Sequence, residues 1–178
     1  MRKWNNILAH IIIVLVFLHG LMGSLMLLGF SKVSFKPLSW LLFAAVILHA
    51  ILGVFSTSSA LKNGKRSGRW YLRQNAGFWT KRVSGLAILL LLVFHITAYT
   101  TSVNGIFFLK EFTFCKMILQ IAFILAIFIH LLVSIKAMLI ARGTINLKER
   151  TVDWMLTLSV IIQFFIIAVI AYYIQWQI

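Results

Sequence analysis

The sequence predicts an all-α integral membrane protein with five transmembrane helices, the first four forming a bundle. Three observations lead there. Of 178 residues, 62% are hydrophobic and only 11% charged, where a soluble domain carries about 25% charged residues. A chain this short cannot bury so much apolar surface in its own core, so lipid must solvate much of it. The apolar residues also gather into five stretches, 7–30, 38–56, 83–103, 112–140 and 152–174. Each approaches the roughly 20 residues that a helix needs to cross the hydrocarbon at 1.5 Å per residue. None alternates with period two, which speaks against a β-barrel. One cysteine, Cys115, excludes a disulfide framework, a multi-cysteine zinc site and a cysteine-held iron–sulfur cluster.

The first stretch follows Arg2 and Lys3, as the apolar part of a secretory leader would. It is too long for that part, no A-x-A cleavage pattern follows, and it reads as a retained span. The second begins just after Pro37, which suits a helix start because proline lacks only an N–H that the first turn leaves unused. The third, fourth and fifth are continuous apolar runs, and residues 1–178 read as a single membrane domain. No inverted repeat of the transporter kind is visible. The connections are short except 57–82, which is basic and carries Trp70, Tyr71, Phe78 and Trp79. It reads either as a topology signal lying on lipid headgroups or as a docking surface for a partner.

Charge sets the orientation. The formal net charge is +14, from 17 Lys and Arg against 3 Asp and Glu. In a membrane protein this points to loop topology and anionic lipid, not to nucleic acid. Arg2, Lys3, Lys62, Lys65, Arg66, Arg69, Arg73, Lys81, Arg82, Lys136, Arg142, Lys148 and Arg150 fall on one side; Lys32, Lys36, Lys110 and Lys116 fall on the other. The positive-inside rule makes the first side cytoplasmic in a multi-pass protein of a bacterial inner membrane. The N-terminus is then inside and the C-terminus outside.

His19, His49, His95 and His130 lie inside the first four stretches, one in each. Ionisable groups in the bilayer interior are costly and mark function by default. Four roles compete. Histidines serve as hydrogen-bonding glue between helices. A proton relay would include carboxylates, but Glu111, Glu149 and Asp153, the only acids, stand at span ends. Zinc favours ligands at one depth, often with a carboxylate. A b haem takes one neutral imidazole on each side of its iron from two facing helices, so four histidines supply two haems. His10 precedes His19 by nine residues, on about the opposite helix face and at the cytoplasmic margin, and receives no ligand role.

Depth sorts the four. His19 and His95 stand about 12 residues, roughly 18 Å, from the cytoplasmic starts of their stretches. His49 and His130 stand about 7 and 10 residues, roughly 10–15 Å, from the cytoplasmic ends of theirs. This favours an outer pair, His19 with His95, and an inner pair, His49 with His130. Small residues one turn on, Gly23, Gly53 and Ser134, share the faces of His19, His49 and His130. They suit either a porphyrin edge or close helix packing.

Five spans with a histidine in each of the first four resemble the di-haem cytochrome b membrane subunit of succinate:quinone oxidoreductases, the family of succinate dehydrogenases and fumarate reductases. The matching pieces are Phe17-Leu18-His19-Gly20, Ile47-Leu48-His49-Ala50, Phe78-Trp79-Thr80-Lys81-Arg82-Val83-Ser84-Gly85 with Phe94-His95, and Ile129-His130-Leu131. The resemblance implies two haem b groups as cofactors, one held by His49 and His130 and one by His19 and His95. It implies menaquinone or ubiquinone as substrate, with an iron–sulfur subunit and an FAD-containing flavoprotein subunit docked on the cytoplasmic side. Arg82-Val83-Ser84-Gly85 also resembles the R-x-[ST]-G stretch of related anchor subunits, which implies that Arg82 and Ser84 approach the quinone. An Arg and a hydroxyl at the bilayer edge can donate hydrogen bonds to a quinone carbonyl.

The chain departs from some di-haem members in one respect. They carry an outer-side carboxylate near the second span, whereas Lys32 to Trp40 contains no acid. Glu111 either substitutes for it or pairs with Lys110. The expectation is an electron-transfer anchor of a succinate dehydrogenase or fumarate reductase, with no dicarboxylate site of its own. The alternatives are a cytochrome b anchor of a hydrogenase or formate dehydrogenase type of enzyme, and a haem-free membrane anchor.

Overall fold

The computed structural model describes residues 2–31, 36–67, 75–103, 106–141 and 149–178. Five helices account for most of them: α1 (Arg2–Leu27), α2 (Lys36–Ser67), α3 (Ala76–Ala98), α4 (Phe114–Ala141) and α5 (Glu149–Gln175). All five are long and apolar enough to cross a membrane. The protein is an all-α, multi-pass membrane protein, as the apolar stretches predict. In hydrocarbon a helix satisfies its backbone internally, which an open strand cannot do. Its hydroxyls follow the same rule: Thr57, Thr80, Thr97, Thr157 and Ser159 each donate to the carbonyl four residues earlier. Polar side chains inside apolar helices thus carry their own acceptors.

The helix ends differ from the apolar stretches, for backbone reasons. α1 stops at Leu27, before the expected end at 30. Gly29 takes φ +79, its N–H donates to the Met26 carbonyl, and the Phe30 N–H donates to the Leu25 carbonyl. This is a Schellman cap, which places a left-handed residue just past the helix. Gly29→Ala should cost about 1 kcal/mol, because a Cβ is disfavoured at positive φ; reversible unfolding in mixed micelles would measure it.

α2 starts at Lys36 with Pro37 in its first turn and continues to Ser67. Its 32 residues reach roughly 48 Å, so the helix outruns the hydrocarbon. The first part of the expected 57–82 connection is therefore helix. Nothing from Thr57 to Ser67 breaks the backbone pattern, since polarity alone does not end a helix and no proline intervenes. Trp70 and Tyr71 lie outside the described residues. Phe78 and Trp79 belong to the first turn of α3, not to a loop.

α3 is shifted against the expected 83–103. It begins at Ala76 and ends at Ala98. Beyond it, β1 (Thr100–Val103) pairs antiparallel with β2 (Ile106–Leu109), Thr100 opposite Leu109 and Val103 opposite Ile106. The β-branched Thr100, Thr101 and Val103 favour extended backbone. The Lys110 N–H donates to the Tyr99 carbonyl and extends the ladder. Lys110 Nζ donates to the Thr97 carbonyl, where a cation suits the exposed end of a helix dipole. Lys110 thus caps α3, and Lys116 Nζ donates to the Glu111 carbonyl. Thr113 caps α4, its hydroxyl accepting from the Lys116 N–H.

The chain divides into two compact units, Met1–Gln74 and Asn75–Ile178. In the first, α1 packs on α2. In the second, α4 packs on both α3 and α5. Among the described residues, the second unit holds most of the buried side chains. Leu158, Ile162, Phe165 and Val169 of α5 are buried at helical spacing, and α4 contributes Met117, Phe123, Ala126 and Leu131. At the end near the hairpin, Tyr99, Phe112 and Tyr172 form a ring cluster with centroids 5.1 to 5.8 Å apart. Each such pair adds about 0.5–1.5 kcal/mol beyond its buried area.

Candidate functional site

The four membrane histidines are half-buried and lie on α1 to α4 in order. In the first unit, the His19 ring of α1 meets α2, with its Nδ1 3.3 Å from the Ser39 hydroxyl. His49 lies on α2, and its Nδ1 is buried from solvent. Gly23 and Gly53 follow His19 and His49 by one turn, on the same faces. A Cβ built at either glycine would meet no atom within 4 Å. His10 turns its Nδ1 back to the Asn6 carbonyl of its own helix.

In the second unit, His95 of α3 and His130 of α4 both work at the α3–α4 contact. His95 Nδ1 is 2.7 Å from Gln120 Oε1. An amide oxygen only accepts, so Nδ1 carries the proton and Nε2 carries the ring's in-plane lone pair. The Phe123 ring stacks on the His95 ring at 4.8 Å, and Tyr99 meets its edge at 6.1 Å.

His130 arrives at the same tautomer by another route. Its Nδ1 is 3.0 Å from Ser84 Oγ. The Ser84 hydroxyl has one proton, donated to the Thr80 carbonyl at 2.6 Å. Its oxygen therefore accepts from His130 Nδ1–H, which again leaves the lone pair on Nε2. Gly85 permits this approach: a Cβ there would stand 3.5 Å from His130 Cε1. About two turns earlier, a Cβ at Gly77 would stand 3.8 Å from the Val133 side chain. Small residues on α3 let the two helices come close.

Arg82 is half-buried, with its guanidinium carbon 4.8 Å from the centre of the Phe78 ring. Its Nε is buried with no hydrogen-bond partner among the described residues. Arg82 and Ser84, expected together at a quinone, differ in what they can offer: the Ser84 proton goes to Thr80, while the guanidinium keeps donors to give.

Ser39 and Gln120 are missed by sequence reasoning. Gln120 had a visible signal, since it stands alone as a long polar residue in the apolar run from Met117 to Ile129. Ser39 had none beyond its place in a span. Among the described residues no group of three or more His, Cys, Asp or Glu side chains could hold a metal ion; ligation by two imidazoles asks for no such group. Each histidine pair expected to share an iron takes one member from each unit. Comparison with family models, curated proteins and solved structures finds no match to this chain.

Proposed function

We propose that this chain is the membrane anchor and electron-transfer subunit of a quinone-linked oxidoreductase of the succinate dehydrogenase and fumarate reductase kind, holding two b haems. The observation that carries the reading is the placement of His19, His49, His95 and His130, one on each of four successive membrane helices. The bonds described above support it. Neutral imidazole binds iron through one nitrogen while the other donates to a nearby acceptor, and the Nδ1–H tautomers of His95 and His130 meet that need.

In this reading His49 with His130 and His19 with His95 each grip one iron, and the open sides of Gly23 and Gly53 leave room for porphyrin edges. Within each unit, counting along the helices leaves one histidine nearer the outer end and one deeper, as the proposed pairs require. Measured from Leu27, Lys36, Ala98 and Phe114, the ends that the charge pattern puts outside, His95 is about one turn in and His19 about two. His49 and His130 are about three and a half and four and a half turns in. A bound b haem supplies an iron that takes up and gives back one electron at a time. The chain's part is to fix the imidazoles, keep water out with apolar walls, and present the Arg82 guanidinium to a quinone carbonyl at the cytoplasmic edge. The partners are an iron–sulfur subunit and an FAD-containing flavoprotein subunit, docked on the basic cytoplasmic face of the inner membrane.

A visible spectrum and a pyridine haemochrome assay on the purified protein test this directly. Two low-spin b haems per chain are expected. Well under one haem per chain would sink the reading, and one haem would leave a single pair standing.

A further inference from the structure

We infer that Gln120 is a positioning residue that holds His95 as the Nδ1–H tautomer with Nε2 presented for ligation, and that it tunes the iron bound there. The inference rests on the haem reading above for its second half and on the α3–α4 contact for its first.

Gln120 is 2% exposed and, with Phe112, is among the largest fully buried side chains of the described residues. A primary amide buried in a membrane helix is costly unless its oxygen and nitrogen find partners. Its Oε1 faces His95 Nδ1 at 2.7 Å, a short distance for a neutral N–H···O bond. The surroundings make the contact specific. Gln120 and Phe123 stand three residues apart on α4, and Tyr99, the C-cap of α3, follows His95 by four residues, so each pair lies on one face. Phe123 covers the flat of the imidazole, Tyr99 meets its edge, and Gln120 Oε1 accepts a hydrogen bond from its Nδ1–H. The ring is thereby fixed in plane, in rotation and in tautomer. An acceptor on Nδ1–H makes the opposite nitrogen a stronger donor to a metal. A stronger donor favours ferric over ferrous iron and lowers the reduction potential.

A structural role alone would be interhelical glue, and two readouts separate it from positioning. The first needs no haem. In the haem-free full-length chain labelled with 15N-histidine, His95 should give the signals of an Nδ1-protonated ring. Gln120→Met, similar in bulk but without an acceptor, should shift it toward the Nε2-protonated form. Gln120→Glu, which keeps an acceptor oxygen at that place, should restore the first form. The second readout is an optical redox titration of the haem-loaded protein. Gln120→Met should raise the midpoint of one haem and leave the other in place, and Gln120→Glu should return it to the wild-type value or below. His95 unchanged in tautomer and both midpoints unmoved in Gln120→Met would overturn the inference. A chain that binds no haem would overturn the haem reading instead, and the tautomer signal would then decide the role of Gln120 by itself.

Discussion

His49→Ala and His130→Ala should each remove the same haem signal, with little more lost in the double variant. His19→Ala and His95→Ala should do the same to the other signal. Each single variant is expected to lower the haem content from two per chain to about one. One variant from each pair, combined, should leave almost none. The reason is chemical: an iron held between two imidazoles loses its low-spin state when either is deleted, and the remaining ligand holds porphyrin weakly. Residues that act as one unit give non-additive losses, whereas independent sites add. Haemochrome assays with redox titration of the four single and six double variants read this out. If His19→Ala and His49→Ala removed one common signal, the pairing would be wrong while the two-haem reading survived.

Gly85→Leu should reproduce the haem loss of His130→Ala without replacing a ligand. A Cβ at residue 85 already stands in van der Waals contact with the imidazole, 3.5 Å from Cε1. The rest of a leucine side chain extends beyond that contact and pushes the ring from Ser84. Overpacking of this kind costs about 1–3 kcal/mol, and a ligand displaced by an ångström is lost to the iron. Gly85→Ala serves as the control. Its Cβ fits at ordinary contact distance, and alanine improves the helix by about 1 kcal/mol over glycine. Haem content should stay at two per chain in Gly85→Ala and fall toward one in Gly85→Leu. Gly85→Leu with a wild-type spectrum would count against His130 as a ligand held in this geometry.

The limits of hydropathy are visible at particular residues. The runs ending near Phe55 and beginning near Val83 mark where lipid-facing side chains stop, yet the helices run on to Ser67 and back to Ala76. A helix ends where its backbone is given a reason, and at Leu27 that reason is Gly29. At Ala98 it is the segment with β-branched Thr100, Thr101 and Val103, which finds a strand partner in Ile106–Leu109. Tyr99 to Val103, rich in hydroxyls that a helix can satisfy on its own carbonyls, could not separate the end of a helix from the start of a hairpin.

The sequence by itself determined that this protein lives in a membrane as five helices, with one histidine on each of the first four. Lipid leaves so apolar a chain few other solutions, because every backbone donor and acceptor must be met within the segment. What the tertiary structure alone decided is which atoms meet those histidines. Gln120 reaches His95 across 25 residues of chain, and Ser84 reaches His130 across 46. Successive residues on a helix turn by about 100°. A partner is therefore chosen by the rotation of one helix against another, which is set by the fit of Gly77, Ser84 and Gly85 on α3 to the side chains of α4 and is not written in the spacing of either helix alone.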